Sequence, residues 1–197
     1  MILRSRNYAM VKIVPYQKCW QVEFQAIAQK LRQALGELAM RIDHIGSTSV
    51  QGLAAKDVID IQVTVPALNE EVRQAITSQG YLHRPDITQD HCPSTANPDE
   101  NEWGKWYFRE ADGERRVHIH VRLPGRLNQR YSLLFRDYLR AHPAMAGSYA
   151  ELKRRLAAHL ADPAMYPDVK DPAVDLIYFP AEEWAKQTDW LPGPSDA

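Results

Sequence analysis

Apolar positions change their period along the chain, and each change marks an element. Val11-Lys12-Ile13-Val14 reads as a short strand ended by Pro15. Trp20, Phe24, Ile27, Ala28, Leu31 and Leu35 then recur at helical spacing, and Gly36 stops them. This stripe reads as core packing. A second strand over 40–45 runs straight into Gly46-Ser47-Thr48-Ser49. From Val58 to Val65 the alternation is strict, with Ile59, Ile61, Val63 and Val65 on one face and Asp60, Gln62 and Thr64 on the other. Asn69 is an N-cap for a helix through Ser78, which Gly80 ends. Residues 84–103 carry three prolines and many small polar residues. A loop this long is uncommon in a compact domain and reads as a lid or a mobile excursion. Lys105–Arg109 and Arg116–Arg122 pair as strands across the Asp112-Gly113 turn signal.

Beyond Pro124-Gly125 the period becomes helical. Tyr131, Leu134, Phe135, Tyr138 and Leu139 form one stripe, and Tyr149, Leu152, Leu156 and Leu160 another, with His142-Pro143 between them. One more short helix is expected through Trp184, before the chain trails into Pro192-Gly193-Pro194. Together these elements predict an α/β (α+β) fold in a single domain over 1–197. A mixed sheet of about five strands occupies residues 11–122 with helices on one face, and 128–190 form a helical C-terminal third.

Composition narrows the partners. Lys+Arg number 24 against 25 Asp+Glu, a formal charge of −1, which argues against a dedicated duplex nucleic-acid binder. Two cysteines, Cys19 and Cys92, are too few for a disulfide framework and suit a reducing, cytoplasmic setting. Met1–Arg6 lacks the apolar run of a signal peptide, and no stretch is apolar enough to span a membrane.

The alternation also places chemistry. Val117, Ile119 and Val121 oppose His118, His120 and Arg122, as the apolar set of the earlier strand opposes Asp60 and Gln62. If both polar faces point the same way, they line a cleft holding a carboxylate, two imidazoles and a guanidinium. Asp60 is enclosed by Val58, Ile59, Ile61 and Val63, which places it on a central strand, where an unused carboxylate is costly. His118 and His120 stand about 7 Å apart along the backbone on one side of their strand. They could hydrogen-bond a substrate or, with Asp60, hold Zn²⁺ or Fe²⁺. Without metal a neighbouring carboxylate should favour imidazolium; as ligands they stay neutral. Gly46-Ser47-Thr48-Ser49, fourteen residues ahead of Asp60, suits an anion-binding turn, with Lys56 as a nearby point charge.

His44-Ile45-Gly46-Ser47-Thr48-Ser49-Val50, then Gly52-Leu53-Ala54-Ala55-Lys56 and Ile59-Asp60-Ile61, resembles the GrpB family. The resemblance continues through His118-Ile119-His120-Val121, Asn128–Tyr131 and Leu134–Pro143, and on to Tyr149, Leu152-Lys153, Tyr166, Lys170 and Trp184-Ala185. Gln51, where that family usually has proline, and the longer 84–103 loop depart from it. The resemblance implies a nucleotidyltransferase-like fold, in which a Gly-Ser turn holds the triphosphate and three strand carboxylates bind Mg²⁺. Gly46 and Ser47 match the turn and Asp60 the first carboxylate. Gln62 replaces the second, and histidines stand where the third would be. One carboxylate, an amide and two imidazoles match two Mg²⁺ ions poorly.

Three functions follow as expectations. The first is a divergent nucleotidyltransferase-like protein that binds a nucleotide or other phosphorylated small molecule. Gly46, Ser47, Ser49 and Lys56 would hold phosphate, Asp60 would take a divalent metal or act as base, and His118 and His120 would complete the catalytic set. Gln62 would line the same site, while Arg122 and Arg130 neutralise charge. The second is a non-catalytic ligand-binding accessory module. The third is a single-metal enzyme built on Asp60, His118 and His120.

Overall fold

The computed structural model describes residues 11–197, so the Met1–Arg6 run lies outside the described residues. Strands β1 (Arg41–Ile45), β2 (Ile59–Thr64), β3 (Leu82–His83), β4 (Trp106–Arg109) and β5 (Val117–Arg122) form one mixed sheet in the order β1-β2-β5-β4-β3. β2 and β5 run parallel at its centre, and the other neighbours are antiparallel.

The period-two residues Ile59, Ile61, Val63, Val117, Ile119 and Val121 are all buried on one face. Against them pack α1 (Cys19–Leu35), through Trp20, Phe24, Ala28, Leu31 and Leu35, and α2 (Glu70–Ser78), through Val72 and Ile76. Asn69 caps α2 as its position predicts, its side chain accepting from the Val72 N–H at 3.0 Å. Deleting one such core side chain costs about 2–5 kcal/mol, so this layer fixes the register of the opposite, polar face.

The C-terminal third stands over that polar face. It comprises α4 (Leu127–Ala141), α5 (Pro143–His159) and α6 (Tyr166–Gln187), which share a second apolar core; the one-turn helix α3 (Glu100–Trp103) precedes them. Arg136 latches the two parts, donating to the His44 carbonyl at 3.1 Å and to the Asp196 carboxylate at 2.7 Å. Arg140 donates to the Ser49 carbonyl at 2.9 Å.

Four sequence expectations need correction. Val11–Val14 is no strand; Val14 alone makes a bridge, to Ala55. The last helix is not short but 22 residues long, running through Pro172 and Pro180. Burial of Val174, Ile177, Tyr178, Ala181 and Ala185 outweighs the lost backbone hydrogen bonds. On α5 the buried stripe is Ala146, Tyr149, Ala150 and Lys153, rotated from the leucine stripe and including a lysine. Finally, the 84–103 segment is not a free excursion. Asp90 plants it under the sheet's polar face, and His91 Nε2 lies 2.9 and 3.0 Å from the two Asp175 oxygens.

Candidate functional site

β1 ends in a turn that only glycine can make at its first position. Gly46 has φ +68°, and a Cβ there would stand 2.9 Å from the Asp60 Cβ and collide with its carboxylate. The turn closes by the Ser49 hydroxyl donating to the Gly46 carbonyl at 2.6 Å. Beneath it, His44 lies on the apolar face, stacked on Phe24 at 4.6 Å, with Nε2 3.0 Å from Thr48 Oγ1. Burial pushes its pKa down to about 4, so a neutral ring pins the turn from below.

Asp60 and His118 are register partners on the parallel pair, and His118 Nδ1 lies 3.1 Å from Asp60 Oδ1. Both border a cavity of about 170 Å³ beneath Ser47, lined also by Lys56, Lys153 and Lys170. Lys153 is the surprise. Its side chain, 3% exposed, donates to Ser47 Oγ at 2.8 Å and to the Ala54 carbonyl at 2.6 Å, over the Tyr149 ring. It has no carboxylate partner among the described residues. Burial, then repulsion from Lys170, lowers its pKa to about 7. Lys56 lies 4.0 Å over the Tyr166 ring; burial, with Lys170 and Arg116 nearby, brings its pKa to about 8. Three lysines and one carboxylate line so small a space, and with Asp171 3.7 Å from Lys170 as the further carboxylate nearby, the site is short of negative charge.

The remaining expected site residues part company here. Gln62, fully buried, accepts from Arg122 at 2.5 Å and donates to the Gln129 carbonyl at 3.2 Å. Arg122, 3% exposed, is spent on Asp90, Gln62 and Ser132. Neither reaches the cavity. Arg130 points elsewhere, paired with Glu182 and lying over the Trp190 ring. Ser49 faces a larger cavity of about 720 Å³ across the turn, beside His44, Arg140 and Asp196. That space is larger, but its one imidazole is held neutral in the core and its arginine is tied to a backbone carbonyl. The smaller cavity is the one that brings Asp60, His118 and three lysines together.

His120 shares the polar face with Asp60 and His118, and one ligand atom from each of the three lies within 4.8 Å of the others. Tyr107, which the sequence reading passed over, sits 5.5 Å from His118 and 5.3 Å from His120, ring centre to ring centre. The expected upward pull on the histidines fails at His120: burial, with Lys105 and Arg122 beside it, drives its pKa well below the usual value. Two Mg²⁺ ions do not fit. Asp60 is the cavity's one carboxylate, the amide at 62 is committed, and three lysines already crowd the space.

Among the described residues, no helix is long and apolar enough to cross a membrane. The sequence model for the GrpB protein family matches residues 10–179. Dephospho-CoA kinase of Mycobacterium leprae is 35% identical over 207 residues, covering 95% of this chain and 50% of that protein. UPF0157 protein YqkA of Bacillus subtilis is 31% identical over 179 residues, covering 89% of this chain and 48% of that protein. The chain thus spans about half the length of these curated relatives. The crystal structure of conserved protein GrpB from Enterococcus faecalis superposes with a TM-score of 0.68 at 30% identity, over 88% of this chain and 99% of that one. The match reaches from the Gly46 turn through the paired strands to the lysine-bearing helices α5 and α6, and on it the chain belongs to the GrpB family.

Proposed function

We propose that the chain is a divergent nucleotidyltransferase-like protein that binds a nucleotide or other phosphorylated small molecule in the cavity below Ser47. Lys153 carries the reading. A buried lysine without a counter-ion is costly, and a bound phosphate would supply the missing charge to it, Lys56 and Lys170 together. Ser47 and Thr48, presented by the Gly46 turn, form the wall of the pocket, and Asp60 with His118 supplies a proton acceptor at its edge. The names of the mycobacterial relatives suggest a coenzyme A precursor among the ligands to try. No Gly-x4-Gly-Lys-Ser/Thr run occurs in this chain, so kinase activity is not proposed for it.

Titration calorimetry with pyrophosphate, ADP, ATP and dephospho-CoA, each with and without Mg²⁺, tests this. Binding by the wild type that is lost in Lys153→Ala supports it; no binding by any of the four sinks it. Binding without turnover would leave a ligand-sensing module. The proximity of Asp60, His118 and His120 favours a second reading, a single-metal enzyme. Stoichiometric zinc or iron in protein purified without chelators would put that reading first.

A further inference from the structure

The hydrogen bonding around His120 decides which face its ring offers. His120 Nδ1 lies 3.4 Å from Lys105 Nζ and 3.5 Å from Arg122 Nη2. Ammonium and guanidinium groups only donate, and arginine does not lose its proton in proteins. Nδ1 must therefore be the lone-pair nitrogen, which leaves the proton of the neutral ring on Nε2. Asp90 fixes this arrangement: one oxygen accepts from Lys105 at 2.6 Å and Arg122 Nη2 at 2.9 Å, the other from Arg122 Nε at 2.8 Å. Around the ring stand Lys105, Arg122, Asp90, His118 and Tyr107, so the two nearest charges are positive and oppose a second proton. Among the described residues Nε2 has no hydrogen-bond partner, and the side chain keeps 15% of its surface exposed.

We propose that His120, which does not itself line the lysine cavity but has a ring nitrogen within 4.8 Å of the Asp60 carboxylate, is a tautomer-locked, neutral hydrogen-bond donor whose Nε2–H serves an oxyanion oxygen that extends past Asp60, and that it is not a metal ligand. A histidine that binds metal donates its other ring N–H to a carboxylate, carbonyl or water. In His120 the other nitrogen faces two cations instead. Metal on Nε2 would move the ring proton to Nδ1 and aim it at Lys105 and Arg122. Metal on Nδ1 would place the ion itself against them. Either arrangement breaks the set that Asp90 holds together, and Asp60 with His118 alone is too few ligands for a structural or catalytic zinc site. The donor's partner rests on the phosphate-binding reading above; the tautomer does not.

Long-range ¹H–¹⁵N NMR of the histidine rings, with His120 assigned from its backbone, reads the tautomer in the ligand-free protein at pH 7. The expected result is a neutral ring protonated on Nε2, unchanged by one equivalent of Zn²⁺. A ring protonated on Nδ1, an imidazolium, or an Nε2 that loses its proton to Zn²⁺ would overturn the assignment. Pyrophosphate titration of His120→Gln and His120→Leu tests the donor role, because the glutamine amide restores an N–H near the position of Nε2. His120→Gln should bind like the wild type and His120→Leu about tenfold more weakly, the weight of one hydrogen bond. Equal affinities for the two variants would remove the donor role. If the wild type binds none of pyrophosphate, ADP, ATP and dephospho-CoA, the phosphate reading and the donor's partner fall together while the NMR result still stands.

Discussion

Asp60 on β2 and His118 on β5 face each other in register across the only parallel strand pair of the described sheet, 3.1 Å apart. The pair is placed by the apolar side chains behind it: Ile59 and Ile61 flank Asp60, Val117 and Ile119 flank His118, and all four are buried against α1 and α2. A shift of one residue in either strand would turn its polar group into that core. The position of the site is thus a consequence of packing on the opposite face of the sheet.

Gly46→Ala should unmake this pair. The substitution puts a side chain at φ +68° and drives its Cβ into the Asp60 carboxylate. Strain of this kind costs about 1–3 kcal/mol before the clash is counted. The variant should melt lower than the wild type and bind pyrophosphate more weakly. An unchanged melting temperature would mean that the turn tolerates a left-handed alanine and that Asp60 has room to move.

Asp90 should matter more to stability than a loop residue ordinarily does. It receives Lys105, Arg122 and the Asn128 amide, and those two cations hold its carboxyl well below the usual range. Asp90→Asn strands two buried cations, a loss of about 3–5 kcal/mol. For a domain of this size, thermal unfolding should fall by about 6–20 °C. A drop of only a degree or so would show that water reaches the cluster and screens it.

How far the sequence revealed all this varies with the kind of pattern involved. Period-two alternation was enough to put Asp60, His118 and His120 on one face, because a strand has only two faces and the apolar one must be inside. It could not tell a free polar group from a satisfied one. Gln62 and Arg122 read as site residues, yet they hydrogen-bond each other and do not line the cavity. Asp90 was hidden in a stretch with no period, where only tertiary contacts assign a role. Lys153 was masked by type, since lysine on a helix ordinarily reads as solvent-facing; the clue was its place four residues after Tyr149, on the same helix face as Ala146 and Ala150. Pro172 and Pro180 concealed the length of α6 for a similar reason: local preference argued for a break that packing overrode.

Arg130→Ala provides the contrasting case. The guanidinium is held by Glu182 and lies over Trp190, away from the lysine cavity. Pyrophosphate affinity should be unchanged, and stability should fall by no more than about 1 kcal/mol, as for a partly exposed pair. A tenfold loss of affinity would mean that α4 rearranges to deliver Arg130 to the ligand.

Lys153 ties stability to function through pH. In the unfolded chain its ammonium has the ordinary value of 10.5, and in the fold burial and Lys170 lower it to about 7. Between those values the unfolded chain binds more protons, so this group's contribution to stability rises with pH through that window. Below about pH 7 its full penalty is present, on the order of 5 kcal/mol. Lys153→Met should remove the penalty: at pH 6 the variant should be at least as resistant to urea as the wild type, with the difference shrinking toward pH 10. The same variant should lose pyrophosphate binding. An anion in the cavity favours the ammonium forms of Lys153 and of Lys56, whose pKa is about 8, so binding at pH 8 should take up protons. Calorimetry in two buffers of different ionisation enthalpy reads that uptake directly. Identical heats in both buffers would mean that the lysines are already charged before the anion arrives, and the buried, unpaired ammonium would no longer be the reason for the site.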